Sequence, residues 1–166
     1  MIWEIDVRMG KNNIVIYDAC VLYPAPLRDF LIQLAQTYLI QAKWSHDIHN
    51  EWIYNLLRNR KDLRKDILER TRKMMDNAVR DCLIYGYEEL IPDIQLPDQN
   101  DRHVLAAAIK TGASTILTFN VKDFPPKNLK TYGIEAKHPD NFLSELVKLE
   151  TRSMCDVAFT VRQRLK

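Results

Sequence analysis

The sequence predicts an α/β fold in three layers (α/β/α) around a central parallel sheet, with further helices at the carboxyl end. Two runs predict the sheet. Ile14-Val15-Ile16-Tyr17-Asp18 and Ser114-Thr115-Ile116-Leu117-Thr118-Phe119 are apolar and rich in β-branched residues, as strands buried on both faces are, whereas half-exposed strands alternate. Between them, apolar residues recur every three or four positions, which is helical spacing. Parallel strands need crossovers, and crossovers are right-handed, so alternating segments of these kinds place helices over a parallel sheet.

The first strand, Ile14 to Asp18, ends abruptly in a carboxylate. Ligands of open α/β sheets gather at the carboxyl ends of strands; Asp is also a common helix cap or turn residue, and this stretch alone leaves both roles open. A loop follows, punctuated by Pro24 and Pro26, and Pro suits the first turn of a helix. Leu27, Phe30, Leu31 and Leu34 then keep helical spacing up to Ala35. An extended piece from Leu39 to Trp44 returns the chain toward the sheet. Ser45 suits the N-cap of a helix through Ile48, Trp52, Ile53, Leu56 and Leu57, with Glu51 at the border of its apolar face. A second helix is predicted from Lys61 to Arg80, with Leu63, Ile67, Met74 and Val79 inside and basic side chains outside. A short strand or turn is expected within Tyr87 to Ile94.

The helix from Asp98 to Gly112 has the fullest set of signals. Asp98 is a natural N-cap, Asp101 falls in the first turn, Lys110 favours the negative end, and Gly112 can take the left-handed closing conformation. Its alanines, Ala106 to Ala108, allow close packing on a sheet. Ser114 to Phe119 follows as a strand and Asn120 to Pro126 as the loop at its carboxyl end. Ile134 to Ala136 is predicted as an edge strand, and Asn141 to Lys148 and Thr151 to Leu165 as helices.

With 166 residues the chain is the size of one domain, expected as a core of about 14–138 and a helical extension of about 139–166. At 46% apolar and 28% charged it is neither disordered nor fibrous. No apolar run approaches the ~20 residues of a membrane span. The amino end, MIWEIDVRMGKNN, lacks the apolar core of a secretion signal, so a cytoplasmic protein is expected; residues 1–12 read as an arm or an extra edge strand. Cys20, Cys82 and Cys155 are widely spaced with no C-x-x-C, which predicts free buried thiols rather than disulfides or a zinc site. The four glycines form neither a Rossmann nor a Walker pattern. Net charge is only +2, yet nine Lys or Arg accompany four acids between Trp52 and Arg80, whereas Asp81 to Asp101 holds six acids and no Lys or Arg. A basic arm precedes an acidic stretch.

On a parallel sheet, Asp18 and Asp123 fall at or just beyond strand carboxyl ends on one edge. Asp101 enters a helix that feeds the strand carrying Thr118, and Glu51 protrudes from a helix on the other side. Four carboxylates can therefore converge on one cleft. Such a cluster repels itself unless cations occupy it, and all-oxygen donors select hard cations, Mg²⁺ or Mn²⁺. That chemistry suits phosphodiester hydrolysis, with the basic arm supplying contacts to a polyanion.

The segments IVIYDACVLYP, HNEW, LPDQNDRHVLAAAI, ILTFNVKDF and IEAKHPDNFL resemble the PIN-domain ribonucleases, and more narrowly the VapC-like toxins and their bacterial relatives, over about Ile14 to Leu143. The resemblance implies a metal-dependent endoribonuclease that leaves 5′-phosphate ends, with Asp18, Glu51, Asp101 and Asp123 as an acidic quartet, Thr118 and Asn120 as supporting polar residues, and Mg²⁺ or Mn²⁺ as cofactor. It also implies an RNA substrate, homodimers and, in toxins, inhibition by an antitoxin protein.

Plainer readings compete at each position. Asp98 and Asp101 can both serve a helix terminus, and Asp98 is left as a cap. Glu51 can be a solvated neighbour of the apolar face, and Asp123 and Asn120 can shape the turn before Pro125. His46 and His49 precede Glu51 as H-x-x-H-x-E, but H-E-x-x-H is missing and surface or capping histidines are expected; His103 is expected to be structural, near the cleft. The basic arm can be a solvated helix face. A catalytically inactive RNA- or protein-binding module with the same fold is the alternative to the enzyme, and aspartyl phosphotransfer is disfavoured because Asp18-Ala19-Cys20 lacks a D-x-D pair.

Overall fold

The computed structural model describes residues 13–165; the expected arm or strand over 1–12 lies outside them. Five parallel strands form the sheet: β1 (Ile14–Tyr17), β2 (Gln41–Ser45), β3 (Leu83–Ile84), β4 (Thr115–Leu117) and β5 (Glu135–Lys137), in the order β3-β2-β1-β4-β5. Successive crossovers step outward from β1 to β2 to β3, and the chain then returns past β1 to lay down β4 and β5. With right-handed crossovers this reversal puts helices on both faces and opens a crevice at the carboxyl ends of β1 and β4, where the strand order switches.

The helices are α1 (Ala19–Leu22), α2 (Ala25–Ala35), α3 (His46–Asn59), α4 (Lys65–Ala78), α5 (Arg102–Thr111), α6 (Pro126–Leu129), α7 (Pro139–Leu149) and α8 (Thr151–Arg164). Pro26 sits in the first turn of α2, where its missing N–H costs nothing. Ser45 caps α3, its hydroxyl accepting from Ile48 N at 3.1 Å. Gly112 closes α5 at φ 63°, a conformation that a side chain would strain. The alanine face of α5 is fully buried against β1, β2 and β4.

Several expectations are corrected. The stretch after Asp18 is the short helix α1 rather than a loop, since four residues are too few for periodicity to register. On α4 the buried positions are Leu68 and Met75, while Ile67 and Met74 are exposed; the doublets Ile67-Leu68 and Met74-Met75 leave the choice of face to tertiary packing. Within Tyr87 to Ile94 the expected strand or turn is the 3-10 turn Glu88–Asp93, while the outer strand, Leu83–Ile84, precedes it and was not singled out in the sequence. Helices α7 and α8 pack on each other, and α8 also packs on α2, burying Met154 and Val157.

His49 is wholly buried instead of capping the surface. Its Nδ1 accepts from Trp52 Nε1 at 3.0 Å, and its Nε2 lies 2.9 Å from Asp76 Oδ1, which also accepts from Trp44 Nε1 at 2.9 Å. The donor on Nδ1 leaves the proton to Nε2, and burial holds the ring below its ordinary pKa despite Asp76. This network ties α3, α4 and β2 together beneath the two largest buried side chains, Trp44 and Trp52.

Candidate active site

Register aligns the carboxyl edge. Tyr17 pairs with Leu117 and Leu117 with Lys137, so Asp18, Thr118 and His138 follow side by side. The ladder runs one step further through Asp18 N donating to Leu117 O at 3.1 Å and Thr118 N to Lys137 O at 3.0 Å.

Asp18 is 4% exposed, and its two oxygens have different partners. Oδ1 accepts from Ala19 N at 2.7 Å and so caps α1; Oδ2 accepts from Thr118 Oγ1 at 2.7 Å and from Cys20 Sγ at 3.2 Å. Burial raises the Asp18 pKa; the Thr118, Cys20 and Ala19 donors counter that rise, while the charge of Glu51 adds to it. Thr118 is fully buried, and the same hydroxyl accepts from Asn120 N at 3.0 Å. Asn120 accepts from Asp123 N at 2.9 Å through its carbonyl. The connection of Asn120 to the site thus runs through its backbone, with its side chain on the exposed surface.

Asp101 occupies the N-cap position of α5 without a side-chain capping bond. Asp98 makes the cap instead, accepting from Asn100 N at 2.8 Å in the 3-10 turn Gln99–Asp101. The Asp101 carboxyl is thereby left free, half-buried, and its pKa is pushed up to about 7 by burial and then by the charges of Asp18, Asp98, Glu51 and Asp123. Asp101 thus feels the charge of each of the other three acids singled out in the sequence. The four do not form a tight cage: among the described residues no group of three His, Cys, Asp or Glu side chains is placed to hold a metal ion.

Two residues of the site carry no strong sequence signal. His103 Nε2 lies 3.3 Å from Glu51 Oε2; burial works against its protonation, but the Glu51 contact and the charges of Asp47 and Asp18 outweigh it and raise the pKa. Cys20 joins Asp18, Thr118 Oγ1 at 3.3 Å and Phe119 N at 3.3 Å, and burial followed by the Asp18 charge pushes its thiol up to about 12. Their positions two residues beyond Asp101 and Asp18 are the hints the sequence offers. Of the other thiols, Cys82 is buried as expected and Cys155 is exposed, contrary to expectation.

Part of the basic arm is paired with neighbouring groups. Arg60 pairs with Asp62 and Arg64 with Asp66, each through two hydrogen bonds, and Arg72 contacts Asn50, His46 and Glu69. No helix among the described residues is long and apolar enough to cross a membrane.

Comparison with known proteins agrees with this architecture. A Mycobacterium tuberculosis protein named "Putative ribonuclease VapC50" is 42% identical over 73 residues, 44% of this chain and 43% of that protein; the chain spans less than half the length of the curated relative it matches. No solved structure matches the chain. The family model described as PIN domain matches residues 14–122, the stretch that carries β1 to β4 and three of the four acids. The chain belongs to the PIN-domain family.

Proposed function

We propose that the protein is a metal-dependent endoribonuclease in which Asp18, Glu51, Asp101 and Asp123 hold Mg²⁺ or Mn²⁺. The observation that carries this reading is Asp101, a carboxyl freed from capping and held protonated up to about pH 7 by burial and by the other carboxylates. Its donor set is entirely carboxylate oxygen, which fits a hard divalent ion, and an ion bound there would lower the pKa of a bound water and neutralise charge on the attacked phosphate. Residues of the chain set the stage for it. Asp18 is fixed by three donors, Thr118 orients its Oδ2, and His103 holds Glu51 across the cleft. The resemblance to VapC supports RNA as substrate and a toxin role with an antitoxin partner and a homodimeric state; a neighbouring reading frame whose product silences the activity would support the pairing. The test incubates the purified protein with structured and unstructured RNAs in Mg²⁺ or Mn²⁺, beside Asp18→Asn and Asp101→Asn. Cleavage by the wild type alone is expected, and equal activity in all three rejects the reading.

One observation favours the second reading, a binding module with no chemistry: no three candidate ligands are placed as a metal site among the described residues. Such a module takes up no divalent ion through its acids.

A further inference from the structure

At the carboxyl edge of the sheet that carries Asp18, two aromatic rings meet. Phe119 directly follows Thr118, and its backbone N donates to Cys20 Sγ, itself 3.2 Å from Asp18 Oδ2. His138 is in line with Asp18 and Thr118 at the end of β5. The two rings meet edge to face, centroids 5.2 Å apart and planes at 68°. Such a contact covers one face of one ring only, and both side chains remain open to solvent, Phe119 at 40% and His138 at 36%.

We propose that the Phe119 ring, braced edge to face by His138, is a stacking platform for one unpaired base of the RNA strand. The proposal rests on the ribonuclease reading and adds how the strand is gripped. A neutral contact suits this charge distribution: beyond the reach of a bound cation the carboxylates of Asp18, Glu51, Asp101 and Asp123 repel phosphates, and Arg60, Arg64 and Arg72 of the basic segment are paired with Asp62, Asp66 and Glu69. A base offers a π-face that a carboxylate cluster does not repel, and single-stranded RNA is held by stacking on Phe and His rings. The rings are braced for this. His138 Nδ1 accepts from Asp140 N at 3.2 Å as the N-cap of α7, and the Phe119 backbone is pinned between the fully buried Thr118 and the Cys20 sulfur. A paired base is stacked within its helix and cannot reach the platform, so the contact selects unpaired RNA.

The test compares cleavage of a short unstructured RNA by the wild type, Phe119→Ala, Phe119→Tyr and His138→Asn, using the intact RNA and a set in which one nucleotide at a time is abasic. His138→Asn keeps a side chain able to cap α7. Phe119→Ala is expected to raise KM about tenfold or more, with kcat within about twofold of wild type, while Phe119→Tyr stays close to wild type and His138→Asn raises KM by a smaller factor. At one position the abasic RNA raises KM for the wild type and adds nothing in Phe119→Ala, because the contact it removes is already gone. A wild-type KM in Phe119→Ala, or fully additive losses at every abasic position, overturns the platform and leaves the ribonuclease reading standing. A wild type that cleaves no RNA overturns both.

Discussion

Removing the charge of Asp101 should stabilise the protein that has lost the means to act. The Asp101 carboxyl titrates at about 7 in the folded chain instead of its ordinary 3.8, so below about pH 4 the folded and unfolded forms are both protonated and no penalty exists. Between about pH 4 and 7 the unfolded chain releases the proton while the folded chain keeps it, and stability falls as pH rises; above pH 7 the penalty is complete. At face value the displacement is worth about 4 kcal/mol, but Asp101 is only half-buried, and solvent screening reduces this to about 1–2 kcal/mol. Asp101→Asn removes the penalty while preserving the shape of the side chain. In EDTA the variant should melt about 3–6 °C above wild type at pH 8 and within about 1 °C of it at pH 4. Thermal melts of both proteins at the two pH values measure the difference. A variant no more stable than wild type at pH 8, or a gain of equal size at both pH values, refutes the electrostatic account of Asp101.

Further outcomes follow from the contacts around the crevice. Thr118→Val deprives buried Asp18 of its shortest side-chain donor and should cost about 1–3 kcal/mol in urea unfolding and about tenfold or more in cleavage rate, with Thr118→Ser restoring most of both. Asp76→Ala strands the Trp44 and His49 donors and should destabilise by about 2–4 kcal/mol, without altering cleavage by the molecules that remain folded. Alkylation at pH 8 followed by mass spectrometry should label exposed Cys155 well before Cys20, whose thiol is held in its neutral form by burial and Asp18; early labelling of Cys20 contradicts the hydrogen-bonded placement of its sulfur.

The sheet was legible because its central strands are buried on both faces, which leaves runs such as Ile14 to Tyr17 with no polar interruption. The helix ahead of β4 was legible from its termini, although the chain divides it: Asp98 caps a 3-10 turn, and Asp101 occupies the true N-cap with its side chain uncommitted. That division is invisible in the sequence, where both acids look like caps. The opposite happened on α4, where adjacent apolar doublets made either face plausible. His49 also misled, since apart from Trp52 on its own helix its partners are two distant residues, Asp76 and Trp44, and neither announces itself as one in the sequence. The cap reading of Asp18 describes one of its oxygens, which accepts from Ala19 N, while the other is held by Thr118 and Cys20, partners no local pattern reveals. Phe119 read simply as the end of a strand; only the register that sets β5 beside β4 brings His138 to it.

Calorimetric titration with Mn²⁺ of the wild type, Asp18→Asn and Asp101→Asn addresses the meeting of the acids most directly. Heat of binding in the wild type that disappears in both variants is the expected result. No uptake by the wild type, or the same uptake by all three proteins, contradicts a shared cation among these carboxylates.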